Sequence, residues 1–148
     1  MRRHLEDFQP GDVIELGSYR FDKDEIVDFG RRFDPQPFHT DEVAAKASSF
    51  GGLVASGWHT IAVLMRLMVE TYIGGTESFG SPGIDEIRWL QPVRPGDTIR
   101  GRATILEVVP SRSKPDRGHT LTRSEAFNQK GELVATFVGR GIFRRRPA

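Results

Sequence analysis

The segment Asp34–Asp41, which reads DPQPFHTD, contains the residues best suited to chemistry. Pro35 and Pro37 stiffen this loop, because each proline fixes its own φ and pushes the residue before it into extended geometry. A carboxylate from Asp34 and an imidazole from His39 are thereby held in fixed directions. Two such groups can share one water molecule, which suffices for adding or removing water near neutral pH. The segment therefore predicts acid–base catalysis by Asp34 and His39.

The same segment also has a purely structural interpretation. Asp-Pro is a common start to a turn, so Asp34 could simply accept hydrogen bonds from nearby backbone amides. His39 could be a solvated loop residue or the lead-in to a helix. Because short motifs recur by chance, the surrounding elements have to decide between these interpretations.

A helix is predicted immediately before the segment. Asp22 and Glu25 have the spacing of a capping box at its start. Its apolar side chains recur at helical spacing and should form one buried stripe. They are Ile26, Phe29 and Phe33. This helix would position the chain at the start of the DPQPFHTD segment.

Two further helices are predicted after the segment. Thr40 can cap a short one, whose apolar side would consist of Val43, Ala44 and Ala47. The longest helix starts near Gly57 or Trp58 and runs to about Tyr72. Its apolar face is wide enough for burial on most sides, and includes Ile61, Leu64, Met65, Met68 and Val69.

Strand-like runs occupy the rest of the chain. A short strand is predicted at Val13–Tyr19, and four more follow the long helix: about Gly83–Val93, Thr98–Val109, His119–Asn128 and Leu133–Phe143. Consecutive hairpins favour antiparallel pairing. We therefore predict an α+β fold in which an antiparallel sheet wraps around a long central helix.

Composition narrows the class of protein. The 148 residues suit a single domain spanning 1–148, and a net charge of +1 gives no reason to expect nucleic acid as a partner. The absence of cysteine excludes disulfides and a thiol nucleophile. Residues 1–10 show no signal-peptide pattern, and no apolar run is long enough to cross a bilayer. These features predict a soluble cytoplasmic protein without membrane or nucleic-acid partners.

Three ordered motifs give the chain a family resemblance. The segment Asp34–Asp41 resembles the hydratase motif Asp-x-Asn-Pro-x-His-x-Asp. Gly51–Trp58, which reads GGLVASGW, and Gln91–Thr98, which reads QPVRPGDT, resemble two further landmarks. The chain thus resembles the MaoC-like acyl dehydratase and (R)-specific enoyl-CoA hydratase family over about 13–143. The resemblance implies the hot-dog fold, acyl-CoA as substrate, and a homodimer or a larger assembly of dimers. It implies no cofactor and no metal.

The resemblance also implies a reaction, the reversible hydration of a trans-2-enoyl-CoA to the (R)-3-hydroxyacyl-CoA, a step of fatty acid metabolism. Asp34 and His39 would activate water, and the Gly57 amide would stabilise charge on the thioester oxygen. Ser56, Phe38 and Trp58 would lie near the acyl group.

Several residues depart from the family pattern. Gln36 stands where the family often has Asn, and Ser56 stands where better-known hydratases have His. Phe38 and Trp58 are bulky, so the shape and length of the acyl group stay open. Ser56 could equally be an ordinary N-cap.

Two other functions remain open from the sequence. A hot-dog thioesterase would also use carboxylates and amides at a helix start, and it would release free thiol. A non-catalytic acyl-thioester binding subunit would bind ligand without turnover.

Two further histidines are not expected to be functional. The spacing of His59 from His39 and Asp34 does not support a metal site, and His119 is expected in a hairpin loop.

Overall fold

The computed structural model describes residues 2–148, which form five strands and four α-helices. The strands are β1 (Val13–Arg20), β2 (Ile84–Trp89), β3 (Thr98–Pro110), β4 (Arg117–Phe127) and β5 (Leu133–Arg144). The helices are α1 (Lys23–Phe33), α2 (Pro37–Thr40), α3 (Glu42–Ala47) and α4 (Gly57–Thr71). The predicted strands and the long helix are confirmed to within a few residues at each end.

The five strands form one antiparallel sheet in the order β1-β3-β4-β5-β2. The hairpins β3–β4 and β4–β5 connect consecutive strands, as the sequence predicted. Pairing of β1 with β3 and of β2 with β5 was not predicted. The helical half of the chain separates β1 from β2, and these two strands end up at opposite edges of the sheet.

The core lies between α4 and the concave face of the sheet. Leu64 is fully buried and would be 3.2 Å from a Cβ at Gly101 of β3, so helix and sheet approach closely there. Buried side chains on the facing strands complete the core, among them Ile99, Ala103, Ile105, Val134 and Phe137. A long helix enclosed by an antiparallel sheet is the hot-dog fold, which confirms the predicted fold class.

The helix faces differ from the sequence prediction in two places. Met65 and Val69 are exposed on α4, so this helix is not buried on most sides in the single chain. Phe33 is also exposed, because α1 ends there and Gly30 takes the inward position against α2.

Local capping was predicted incorrectly as well. The Asp22 side chain makes no capping hydrogen bond. Asp41 caps α3 instead of Thr40, because its carboxylate accepts from Val43 N and Ala44 N at 2.9 and 3.2 Å. Val43 is exposed, and Ala45 supplies the buried side of α3.

No helix within residues 2–148 is long and apolar enough to cross a membrane. The single-domain interpretation over 1–148 stays a prediction, and its first residue lies outside the described residues.

Candidate active site

Helices α1 and α2 position the acid–base pair. Asp34 is the C-terminal cap of α1, and its backbone N–H donates to Gly30 O at 2.9 Å. Pro37 opens α2, where its fixed φ is already helical and its missing N–H costs nothing. His39 lies on this single turn of helix, directly against Gly30. A Cβ at Gly30 would lie 2.9 Å from His39 Cβ, so only glycine lets the two helices approach this closely.

Asp34 and His39 face each other within the protein. His39 Nε2 lies 3.2 Å from Asp34 Oδ2, and His39 is only 5% exposed. The other ring nitrogen, Nδ1, is 2.6 Å from Val54 O. A carbonyl oxygen can only accept, so Nδ1 carries a proton and donates it there. In the neutral ring the lone pair is therefore on Nε2, the nitrogen beside the carboxylate.

Both carboxylate oxygens of Asp34 accept hydrogen bonds. Ser56 Oγ donates to Oδ2 at 2.8 Å, and Gln36 Nε2 donates to Oδ1 at 2.8 Å. Burial of Asp34 opposes its ionisation, but the hydrogen bonds from Gln36 and Ser56 and the adjacent His39 outweigh burial. Together they hold the pKa of Asp34 below its ordinary value. The longer amide of Gln36 thus reaches the carboxylate directly.

Ser56 and Gly57 form the start of α4. Ser56 caps the helix, since its hydroxyl oxygen accepts from Trp58 N at 3.3 Å. Ser56 is fully buried and does not line the cavity described below. This position favours a role in holding Asp34 over direct contact with a substrate. The N–H of Gly57 has no hydrogen-bond acceptor within residues 2–148, as expected for the first turn of a helix.

Trp89 covers the start of α4. A Cβ at Gly57 would lie 2.4 Å from the Trp89 indole ring, so the ring lies directly against the glycine backbone. Trp58 packs edge-on against the same ring, with centroids 5.1 Å apart. Trp58 is exposed and so does not belong to the core of the single chain.

A cavity of about 490 Å³ connects these groups. Asp34, His39 and Gly57 lie on its wall together with Phe38 and Trp58. The rest of the wall is mainly apolar and includes Phe50, Val54, Trp89, Leu90 and Val134. A carboxylate–imidazole pair, a backbone N–H without an acceptor among residues 2–148 and apolar walls are therefore brought together in one concave site.

Other histidines lie elsewhere. His59 is buried but does not line this cavity, and His119 lies in β4 opposite Ile142, not in a loop as predicted. His119 contacts Arg140 at 3.0 Å. In the described part of the chain no cluster of three or more His, Asp or Glu side chains could hold a metal ion.

The sequence did not indicate three contributors to this site. Trp89 is a strand residue whose position depends on β2 pairing at the far edge of the sheet. Gly30 has no motif around it, and the Val54 carbonyl is a backbone group. A glycine interrupting the apolar stripe of α1 was the only available signal.

The fold and the site define a hot-dog protein with an acid–base pair beside a helix N-terminus. The family model described as MaoC like domain matches residues 7–126. The chain therefore belongs to the MaoC-like dehydratase family, which includes hydratases and dehydratases.

Known relatives agree with this assignment. The crystal structure of a MaoC-like dehydratase from Rhodospirillum rubrum is 41% identical, with a TM-score of 0.87 over 99% of both chains. The Bacillus subtilis protein YdeM is 32% identical over 85% of this chain and 88% of its own length. A 3-hydroxyacyl-thioester dehydratase Z from Mycobacterium tuberculosis is 32% identical over 51% of this chain and 50% of its own.

Proposed function

We propose that this protein is an enoyl-thioester hydratase that adds water reversibly to a trans-2-enoyl-CoA and gives the (R)-3-hydroxyacyl-CoA. One observation carries the proposal. The buried His39 and the half-buried Asp34 share a cavity wall with Gly57, whose N–H is free among the described residues. The dehydratase relative from Mycobacterium tuberculosis supports the same reaction type.

The hydrogen-bond geometry supports the following course for the proposed reaction. Asp34 and the Nε2 of His39 hold one water molecule and remove a proton from it as it attacks the β-carbon. The electrons of the double bond move toward the thioester carbonyl, and negative charge builds on its oxygen. The proton taken from the water, or an equivalent one, then returns to the α-carbon, so one water is added in total.

Gly57 would stabilise the intermediate. Its N–H lies in the first turn of α4, where the helix dipole favours negative charge. A backbone donor fixed before the reaction requires no reorganisation as the charge develops. Because Gly57 has no side chain, the Trp89 ring can lie directly against its backbone. Phe38, Trp58 and Trp89 would contact the acyl group.

The proposal is tested by following the ultraviolet absorbance of the conjugated thioester. Crotonyl-CoA and longer or branched enoyl-CoAs should lose absorbance without releasing thiol. Asp34→Asn and His39→Ala should each lower kcat at least about a hundredfold, the usual lower range for lost acid–base catalysis. Asp28→Asn and His119→Ala, which change the same residue types away from the cavity, should keep wild-type activity.

Three results would contradict the proposal. Thiol release would indicate a thioesterase. Near-wild-type turnover in either site variant would exclude the proposed acid–base pair. Binding of an enoyl-CoA without turnover, unaffected by Asp34→Asn, would indicate a binding subunit.

We also propose that the active form is a homodimer. Strand β2 lies at an edge of the sheet and exposes Ile84 and Trp89, and Leu90 directly after it is exposed too. An unpaired edge with apolar side chains is a favourable surface for a second copy.

A further inference from the structure

A second buried histidine network lies outside the cavity of the candidate site. His59, on the first turn of α4, is only 3% exposed. Its Nε2 lies 2.8 Å from Glu25 Oε1, and Tyr19 Oη donates to Oε2 of the same carboxylate at 2.7 Å. The proposed reaction uses none of these three residues, so the burial of His59 and its close contact with the partly exposed Glu25 need a separate explanation.

The surroundings of His59 fix its proton on one nitrogen. A carboxylate accepts, so Nε2 carries the proton and donates it to Glu25. The ring stacks on Phe29 at 4.8 Å with planes only 9° apart, and the Phe21 ring is 4.7 Å away. Nδ1 is buried and has no partner within residues 2–148. A second proton would leave a buried N–H unpaired, which is costly. His59 is therefore held as a neutral donor in one orientation.

The Glu25–His59 contact joins the two helices that carry the candidate site. Glu25 is near the start of α1, and Asp34 caps its end. On α4, His59 follows shortly after Ser56, whose hydroxyl donates to Asp34. Helix α1 is thus attached to the start of α4 at two points.

These two attachments are well separated along α1. Asp34 is nine residues after Glu25, which corresponds to about 14 Å along a helix. A single attachment at Asp34 would let α1 pivot about that point. Two attachments fix its direction, and with it the placement of Asp34 relative to the Gly57 amide.

We propose that Tyr19, Glu25 and His59 form a positioning network. By fixing the direction of α1, this network holds the Asp34 carboxylate at a set position relative to the Gly57 N–H. This role rests on the proposed hydratase reaction. His59 is a positioning residue, because it acts through α1 and does not line the cavity. A displacement of about 1 Å in such a site can cost up to about a hundredfold in rate.

Two substitutions at His59 separate positioning from packing. His59→Met fills a similar volume without a donor, whereas the amide of His59→Gln can still donate to Glu25. We expect His59→Met to lower kcat at least about tenfold at nearly unchanged KM, and His59→Gln to recover most of the loss. Glu70→Gln, at an exposed residue of the same helix, is the control and should behave as wild type.

A double variant tests whether the contact acts as a unit. Glu25→Leu should lose as much activity as His59→Met, and the combination should lose no more than either alone, because residues in one network are not additive. Circular dichroism would verify that each variant is folded. Wild-type kcat in His59→Met would overturn the inference. So would a loss of activity that is proportional to the unfolded fraction of each variant, or a double variant whose loss is the sum of the two single losses.

A measurement independent of turnover keeps this inference distinct from the proposed function. The ring nitrogen resonances of His39, assigned by their loss in His39→Ala, should shift in His59→Met and remain unchanged in Glu70→Gln. If the wild type hydrates no enoyl thioester, the proposed function fails. The His39 resonances still show whether His59 positions the Asp34–His39 pair. Unchanged His39 resonances in His59→Met would overturn the positioning role.

Discussion

At the scale of single residues, Asp34 shows how a partly buried carboxylate is kept ionised. Ser56 and Gln36 each donate to one of its oxygens, and His39 lies 3.2 Å away. Burial disfavours the charged form, whereas the hydrogen bonds from Gln36 and Ser56 favour it, as does His39 when its ring is protonated. The net effect is a lowered pKa of Asp34.

This lowered pKa predicts how stability depends on pH. A carboxylate whose pKa falls on folding stabilises the protein above its unfolded pKa, which is near 3.8 for Asp. The contribution is lost as the pH falls below that value and through the lower folded pKa. Asp34→Asn removes it. The difference in free energy of unfolding between wild type and Asp34→Asn should therefore shrink as the pH falls from 5 toward 3, in urea titrations at each pH. A difference that stays constant over this range would contradict the prediction.

Most site residues were predictable because they are close in sequence or belong to a motif. Asp34, Phe38 and His39 share one short segment, and Gly57 and Trp58 share another. Their meeting in one cavity depends on packing of α1 and α2 against the start of α4. The resemblance implied this packing, whereas the spacing alone did not.

Other features could not be predicted from residue types. The sequence suggested Glu25 as part of a capping box, but its carboxylate instead accepts from Tyr19 and contacts His59. Tyr19 lies on β1 and His59 lies on α4, so both contacts join Glu25 to a different element. Polar contacts between elements leave no periodic pattern, so only the folded chain reveals them.

At the scale of elements, the close approach of α1 and α2 depends on Gly30. A methyl group there would lie 2.9 Å from His39 Cβ and 3.1 Å from His39 O. The backbone of α2 cannot rotate away as a flexible side chain could.

We therefore expect Gly30→Ala to push α2 away from α1. Overpacking of this kind costs about 1–3 kcal/mol in the free energy of unfolding, and displacement of His39 should lower kcat as well. Chemical denaturation and enoyl-CoA turnover would measure the two effects. Gly75→Ala, whose methyl group would meet open space, is the matched control. Equal stability and equal turnover in the two variants would show that α2 adapts without cost.

The presence of a helix was easier to predict than which of its side chains are buried. The apolar spacing in 57–71 identified α4, since a wide apolar face at that period is typical of a helix in a core. The same spacing gave no reason for Met65 and Val69 to be exposed. The sequence spacing shows which side chains of a helix are apolar. The elements that pack against the helix determine which of those side chains are buried.

At the scale of the whole molecule, the two sheet edges are not equivalent. Strand β2 exposes Ile84 and Trp89, whereas β1 exposes Val13 among mostly polar neighbours. The large exposed side chains Ile84 and Trp89 make the β2 edge the better surface for pairing with a second copy.

We expect Ile84→Glu to weaken the proposed homodimer, because it replaces an exposed apolar side chain of β2 with a charge. Val13→Glu is the matched control, since Val13 is 58% exposed and Ile84 is 47% exposed. Light scattering after size-exclusion chromatography should show a dimer for the wild type and Val13→Glu, and a shift to monomer for Ile84→Glu. A monomeric wild type, or equal dissociation of both variants, would exclude assembly through β2.

Trp89 links this edge to the chemistry of the site. The ring that lies against Gly57 belongs to Trp89, the last residue of the edge strand β2. Substitutions in β2 that arise as the family diverges therefore have two effects. They change the surface that can pair with a second chain, and they change the shape of the cavity beside Gly57. Paralogues that change their assembly through this strand should change their range of acyl groups at the same time.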